Sequence, residues 1–509
     1  MSASPRYSLL PVLLACLLGW FVAPALPAQD AIAPVEQVFD TLAAGGRGEQ
    51  AFVRVLTDNA ESWFARWYLL EHATKSIDVS TFIIKDDIFG RALLGLLRQK
   101  AHLGLPVRLM IDGRGSGDLA RSSAGFAYLK ALMREPNVQV RIYRPLPKAL
   151  LTAPVDVRNA IASNHDKILL VDGEWFITGG RNIATEYFGA GVGGQRVFRD
   201  TDVVLRGQVI GQQAKQAFDL EFARWDNRLV ADDPDADLAD RCLELDVACR
   251  AMGDFLLDIS TDPSHLPGPR TAPLLSEARQ ELALQAGLRN AAIGTYDRYQ
   301  PFYGDRAAPV VLLDKTSRVG GENDITPNLV RLIDAARESL YIQSPYIVLT
   351  KTARAALERA CARGVQLVTN TNGPINYDHL VTQATFLHEW AGMLRDLPCC
   401  RLYVHHGPAM VHAKVFTFDD RVAVVGSYNM DPLSEQINGE AVCVIRYPPF
   451  ARRNRLRIEK DLELSDEWTN RPAGPGKQAT PSGPAPEAVQ GALKVLSITG
   501  LAELLRPLM

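Results

Sequence analysis

The 509-residue chain lacks an excess of basic charge: 55 Lys and Arg stand against 58 Asp and Glu, a formal net charge of −3. No global cationic field therefore exists to hold a nucleic acid through counterion release. It also lacks the signature of disorder, since 47% of residues are hydrophobic and 22% charged, an ordinary globular balance with length enough for two or three domains. Cysteine is sparse, seven in all, and Cys242, Cys249, Cys361, Cys399, Cys400 and Cys443 show no metal-ligand spacing. After the first 30 residues no apolar run approaches the ~20 residues that cross a bilayer. Histidine is scarcer still for the length, nine in total, so any repeated histidine pattern carries information.

The N-terminus reads MSASPRYSLLPVLLACLLGWFVAPALPAQD, with one positive charge at Arg6, an apolar run from Leu9 to Ala25 and small residues before Gln29. This is the pattern of a secretory signal cleaved after Ala25 or Ala28, with an uncleaved membrane anchor as the alternative. Either places the rest of the chain outside the cytoplasm, exported to a periplasm-like compartment, soluble or at a membrane surface. There Cys242 and Cys249, close together in a loop-like segment, are candidates to pair, while the other cysteines read as small buried residues.

The stretch "SNHDKILLVDGEWFITGGRNIA", Ser163 to Ala184, has a second copy without a gap, "MVHAKVFTFDDRVAVVGSYNMD", Met410 to Asp431. His165 and Lys167 match His412 and Lys414; Asp172 matches Asp419; Gly180 and Asn182 match Ser427 and Asn429. Flanking segments repeat as well, Ser76–Asp112 paralleling Ser339–Asn370, each reading as strand, loop, amphipathic helix, turn, strand. The chain divides accordingly into residues 1–28 (signal or anchor), 50–230 (first α/β half), 231–300 (connecting segment with helical patterns), 301–450 (second half) and 451–509 (Pro/Gly/Ser-rich linker and apolar tail). The tail is too short to span a membrane and either docks on the body or lies on a lipid surface.

Asp-Gly between the apolar runs of "KILLVDGEWFITGG" predicts a hairpin with a two-residue turn, Val171 opposite Glu174. That register sets His165 opposite Gly180 and points His165, Lys167 and Asn182 to one side, with Gly180 and Ser427 leaving room for a ligand. Asp172 and Asp419 fall at the turns, out of phase with the imidazoles. A lysine and a histidine opening a buried strand need a negative partner. Two halves facing across a pseudo-twofold would put two of each around one phosphate. Two histidines at a phosphodiester suit covalent catalysis: one neutral imidazole attacks phosphorus, the other, protonated, serves the leaving alkoxide. No metal or cofactor is required. Asp200 and Glu440, each opening a strand after its motif, either orient the imidazoles or merely begin their strands.

H-x-K-x4-D followed by G-[GS]-x-N, intact twice, resembles the phospholipase D superfamily, and "FRDTDVVLRG" with "NGEAVCVIRY" is similar to the non-integral members of its bacterial cardiolipin synthase branch. The resemblance implies two phospholipase D-like α-β-α sandwich halves with one shared site, a pseudo-dimer within one chain, and a phosphohistidine intermediate with His165 as nucleophile and His412 as acid/base. It brings Asp172 and Asp419 into the catalytic set with Lys167, Lys414, Asp200 and Glu440, and makes Gly180, Asn182, Ser427 and Asn429 the phosphate-binding residues. The implied substrates are phospholipids at a membrane surface, by transfer or by hydrolysis. A nuclease of the same superfamily is disfavoured by the net acidity, and a catalytically dead binding module by two intact motifs.

Overall fold

The strands that each half gives to the main sheet follow the same chain order, and that sheet reads alike from either edge. The first half supplies β1 (Glu49–Leu56), β2 (Ile77–Thr81), β3 (Val107–Asp112), β4 (Val138–Tyr143), β5 (Ile168–Val171), β6 (Trp175–Gly179), β7 (Val197–Arg199), β8 (Asp202–Arg206) and β9 (Arg228–Leu229). The second supplies β10 (Ala307–Lys315), β11 (Ser339–Gln343), β12 (Gln366–Asn372), β13 (Cys400–His405), β14 (Ala409–Val411), β15 (Val415–Phe418), β16 (Val422–Gly426), β17 (Glu440–Arg446) and β18 (Ser465–Trp468). This is a computed structural model, and it describes residues 34–145, 157–189, 191, 196–233, 236–260, 262, 268–288, 294–373, 380–469 and 491. The proposed signal or anchor, and the linker and tail after Asn470 apart from residue 491, lie outside the described residues.

Sixteen strands make one mixed sheet in the order β18-β13-β12-β11-β15-β16-β17-β10-β1-β8-β6-β5-β2-β3-β4-β9. The order is a palindrome about the antiparallel β1·β10 pair, which is the pseudo-twofold expected from the repeat. Strands such as β5 and β16 are buried along their whole length because helices cover both faces, so they read as unbroken apolar runs rather than alternation. One core cluster joins the halves, running through Val53 and Leu205 to Val310, Cys443 and Val425. The chain from Pro34 onward is one compact unit. Helices start where a side chain satisfies the first free amides: Asp58 accepts from Glu61 N before helix Asn59–Glu71, Asp87 from Phe89 and Gly90 N before Ile88–His102, and Thr350 from Ala353 N before Lys351–Ala362.

Four sequence expectations change. Val171 pairs with Trp175, not Glu174. Asp172 and Gly173 both take positive φ and Glu174 N still reaches Val171 O, so the two-residue turn forms and Glu174 is an extra bulged residue. The second copy does the same at Asp419, Asp420 and Arg421. The connecting segment contains helices Ala239–Leu256 and Thr271–Ala283, which pack on Ile88–His102 as part of the first half's outer layer. Beyond residue 450, helix Pro448–Leu462 leads into β18, which pairs with β13, so the folded body continues to Trp468. Finally, Cys242 and Cys249 share one helix and both are free; seven residues at 1.5 Å rise set them about 10 Å apart, beyond the ~7 Å limit for a disulfide. The disulfide joins Cys361 to Cys399 instead, with Cα atoms 5.3 Å apart.

Candidate active site

His165 and Lys167 precede β5 rather than lying in its ladder. Their backbone docks on the other half: His165 N donates to Gly439 O at 3.0 Å, and Gly439 N donates to Ser163 O. In the second half β14 pairs in parallel with β7 of the first, and His412 N donates to Arg199 O at 2.8 Å. Each motif thus runs beside the segment that leads into its counterpart's carboxylate, Glu440 after Gly439 and Asp200 after Arg199.

The consequence is an exchange of partners. His165 Nδ1 lies 3.0 Å from both Glu440 oxygens, and His412 Nδ1 lies 2.7 Å from Asp200 Oδ2. Asp200 and Glu440 hold imidazoles, and each holds the imidazole of the opposite half. Both lysines are buried and donate to the carbonyl of their own histidine, Lys167 Nζ to His165 O at 2.8 Å and Lys414 Nζ to His412 O at 2.5 Å. Lys414 Nζ also lies 2.8 Å from His412 Nδ1 and 3.2 Å from Nε2. Part of the negative charge that the lysines call for is therefore the protein's own, since Asp200 and Glu440 both act electrostatically on Lys167.

The small-residue floor serves the carboxylates rather than the ligand. A Cβ on Gly180 would stand 2.1 Å from Asp200 Oδ1. At the matching position Ser427 donates its hydroxyl to Glu440 Oε2, while Ser434 donates to Oε1 at 2.7 Å. The asparagines differ as well. Asn182 uses Oδ1 to accept from Ile83 N and Nδ2 to donate to Tyr187 Oη, so it ties the loop down. Asn429 keeps a buried Oδ1 that no group among the described residues engages.

Asp172 and Asp419 stand apart from the imidazoles. Asp172 accepts from the backbone amides of Thr74, Lys75 and Ser76, and Asp419 from those of Arg337, Glu338 and Ser339. They fasten the loops entering β2 and β11. Strand phase placed them correctly at the turns, and the catalytic assignment carried by the motif does not hold for their position. Sequence reasoning missed Ser434 and a further pair, Asp112 and Asn372. Asp112 accepts from Asn164 N at 3.0 Å and Asn372 from Val411 N at 2.8 Å, fixing the residue before each histidine. The available signal was a polar residue closing an apolar strand in each half, one register step of two away from the alignment of Asp112 with Asn370.

Protonation separates the two pairs. Burial, then Lys167, Lys414, His412 and Arg114, lower the His165 pKa well below its ordinary value, so this imidazole is neutral. Its partner Glu440 is pushed up to about 7 by burial, against the pull of Lys167 and the Ser427 and Ser434 hydroxyls. Burial acts upward on Asp200 too, but the charge and hydrogen bond of His412, with Lys414 and Arg181, outweigh it and hold that carboxyl below the usual range. Lys167 is lowered to about 7 by burial and by Lys414. Aromatic rings wall both histidines: Phe82 lies 5.1 Å from His165, and Tyr187 and Phe198 lie 5.3 and 5.2 Å from His412.

The family described as "Cardiolipin synthase, PLD-like domain" matches residues 68–221 and 329–462. Cardiolipin synthase C of Escherichia coli K12 is 27% identical over 432 residues, covering 78% of this chain and 82% of its own. Cardiolipin synthase 1 of Bacillus cereus is 22% identical over 442 residues, covering 87% and 72%. The crystal structure of phosphatidylserine synthase from Haemophilus influenzae superposes with a TM-score of 0.60 at 15% identity, covering 94% of this chain and 100% of that one, a likeness of fold. The chain belongs to the phospholipase D-like family of the cardiolipin synthases and is an enzyme of the phosphatidyltransferase and phospholipase D type.

Proposed function

We propose that the protein transfers a phosphatidyl group between alcohols through a phosphohistidine on His165, in the manner of a cardiolipin synthase. The observation that carries the reading is geometric: two buried histidines, each held through Nδ1 by a carboxylate of the opposite half and each with a buried lysine beside it. His165, neutral, donates Nδ1–H to Glu440 and presents Nε2 as the nucleophile; the N–P bond forms as the bond from phosphorus to the leaving alcohol oxygen breaks. His412, paired with an ionised Asp200, gives its Nε2 proton to that oxygen. An incoming alcohol then returns a proton to His412 while its oxygen displaces His165 from phosphorus. Lys167 and Lys414 are the donors to the phosphoryl oxygens, where removing one donor costs on the order of 10² to 10³ in rate. Water in place of the alcohol turns transfer into hydrolysis.

Phospholipid rather than nucleic acid is supported by the family match and by the net charge of −3. No helix among the described residues is long and apolar enough to cross a membrane. Export is supported by the N-terminal pattern and by the Cys361–Cys399 disulfide, a bond that persists in oxidising compartments. The test is to quench the enzyme during turnover with phospholipid labelled in the diacylglycerol moiety and map the adduct, with EDTA present. The His412→Ala variant accumulates label as an acid-labile, base-stable adduct on His165, and wild type converts the donor to an exchanged lipid when an alcohol is supplied. Absence of both the adduct and the exchanged lipid overturns the reading.

A further inference from the structure

The two halves match closely around the histidines and diverge at one loop. Gly113 N donates to Tyr143 O and Gly373 N donates to His405 O, both at 3.0 Å, so these glycines are equivalent. The next residue is Arg114 in the first half and Pro374 in the second. A charge stands on one side of the pseudo-twofold without a counterpart in the sequence on the other.

Arg114 is exposed, yet its backbone is held at the catalytic centre by two tethers. Asp112 accepts from Arg114 N at 2.8 Å and Gly115 N at 2.9 Å with one oxygen, and from Asn164 N, adjoining His165, at 3.0 Å with the other. Gly115 presses on Phe82, where a Cβ would stand 2.3 Å from the carbonyl oxygen and 2.8 Å from the ring; that ring is the one beside His165 and Lys167. Among the described residues no carboxylate forms an ion pair with the Arg114 guanidinium, whereas the buried Arg144, which follows the Tyr143 that holds Gly113, pairs with Asp226. Its charge reaches both His165 and Asp112. A solvent-facing guanidinium carried on a backbone fixed beside the histidine segment has the shape and charge to take a second anion.

We propose that Arg114 is a specificity-determining residue that binds an anionic group on the incoming alcohol, beyond the phosphorus under attack, and so selects alcohols bearing a phosphate over neutral ones. The inference rests on the transfer reading above. It accounts for why one half carries an additional cation after its glycine and the other does not: the reaction brings one scissile phosphate to the twofold axis and one additional anion off it.

The experiment is an internal competition. Purified full-length enzyme in detergent–phospholipid micelles receives equal concentrations of glycerol and glycerol phosphate, and mass spectrometry reads the ratio of the two exchanged lipids. Both alcohols partition one common intermediate, so the ratio is independent of how fast the donor is cleaved. Wild type favours glycerol phosphate; Arg114→Ala lowers the ratio about tenfold or more, Arg114→Glu lowers it further, and Arg114→Lys retains most of it. A ratio unchanged within twofold in both Arg114→Ala and Arg114→Glu overturns the inference. Wild type that forms neither exchanged lipid, while still releasing phosphatidic acid or failing to turn over, overturns the transfer reading instead.

Discussion

The half-sites share a backbone and differ in chemistry. His412 faces a short carboxylate kept ionised, with a glycine making room for it; His165 faces a longer, partly protonated one, with two hydroxyls dividing its oxygens. Duplication supplies two copies of a histidine clamp, and small substitutions at the floor and behind the carboxylate give the copies different hydrogen-bond partners. What the comparison teaches is that the surroundings of each histidine are set by the partner from the other half, not by the motif, which is the same in both.

The strongest way to break the comparison is to delete each imidazole. His165→Ala and His412→Ala each lose about 10³ or more in turnover, but only His412→Ala still accumulates the phosphorus adduct; equal trapping in both variants would make the halves interchangeable. Next is Gly180→Ser, which writes the second half's floor into the first. The added Cβ meets Asp200 Oδ1 at 2.1 Å and displaces the carboxylate from His412, costing about 10² in kcat. The reverse change, Ser427→Gly, removes one hydrogen bond from Glu440 and costs at most about tenfold. Steady-state rates on the two variants decide whether the floors are as unequal as their contacts.

Glu440→Gln sharpens the difference through pH. The buried carboxyl holds its proton up to about 7, whereas in the unfolded chain it loses it near ~4.3. Between those values the folded state binds more protons than the unfolded one, so wild type loses stability as pH rises. Glutamine does not ionise and removes that dependence. The melting temperature of Glu440→Gln relative to wild type should therefore climb from pH 5 to pH 7.5; a constant difference would show that Glu440 is ionised throughout. The smallest catalytic effect belongs to the turn aspartates. Asp419→Asn, the more buried, lowers stability by about 2 kcal/mol through its backbone amides and Asp172→Asn by less, while kcat of the folded protein stays within about twofold for each.

Much of this was legible in the sequence because it is local or periodic. Asp-Gly marks the turn, unbroken apolar runs mark central strands, and a gapless repeat of His165 to Asn182 at His412 to Asn429 marks the twofold. The carboxylates Asp200 and Glu440 were found by aligning the halves with one another. Their crossing was not legible, because an internal alignment pairs like with like and says nothing about which copy faces which. The one-residue bulge at Glu174 escaped for a related reason: Asp172 and Gly173 satisfy a two-residue turn fully, and only the sheet register reveals the extra residue. Cys361 and Cys399 lie 38 residues apart on elements whose packing no spacing rule encodes.

The exchange of carboxylates makes the enzyme a coincidence device in time as well as space. The contacts that orient the imidazoles span 212 and 275 residues of chain, among the last that a folding polypeptide closes, since loop closure on that scale must precede any reward. Until both ends of the body have been made and docked, neither histidine has the partner that fixes its tautomer, and a chain halted after its first half carries a complete motif with no means of attack. The phosphodiester chemistry proposed for this site is in this way withheld from nascent, truncated or half-unfolded protein, and catalytic activity becomes a readout of the whole fold rather than of either repeat.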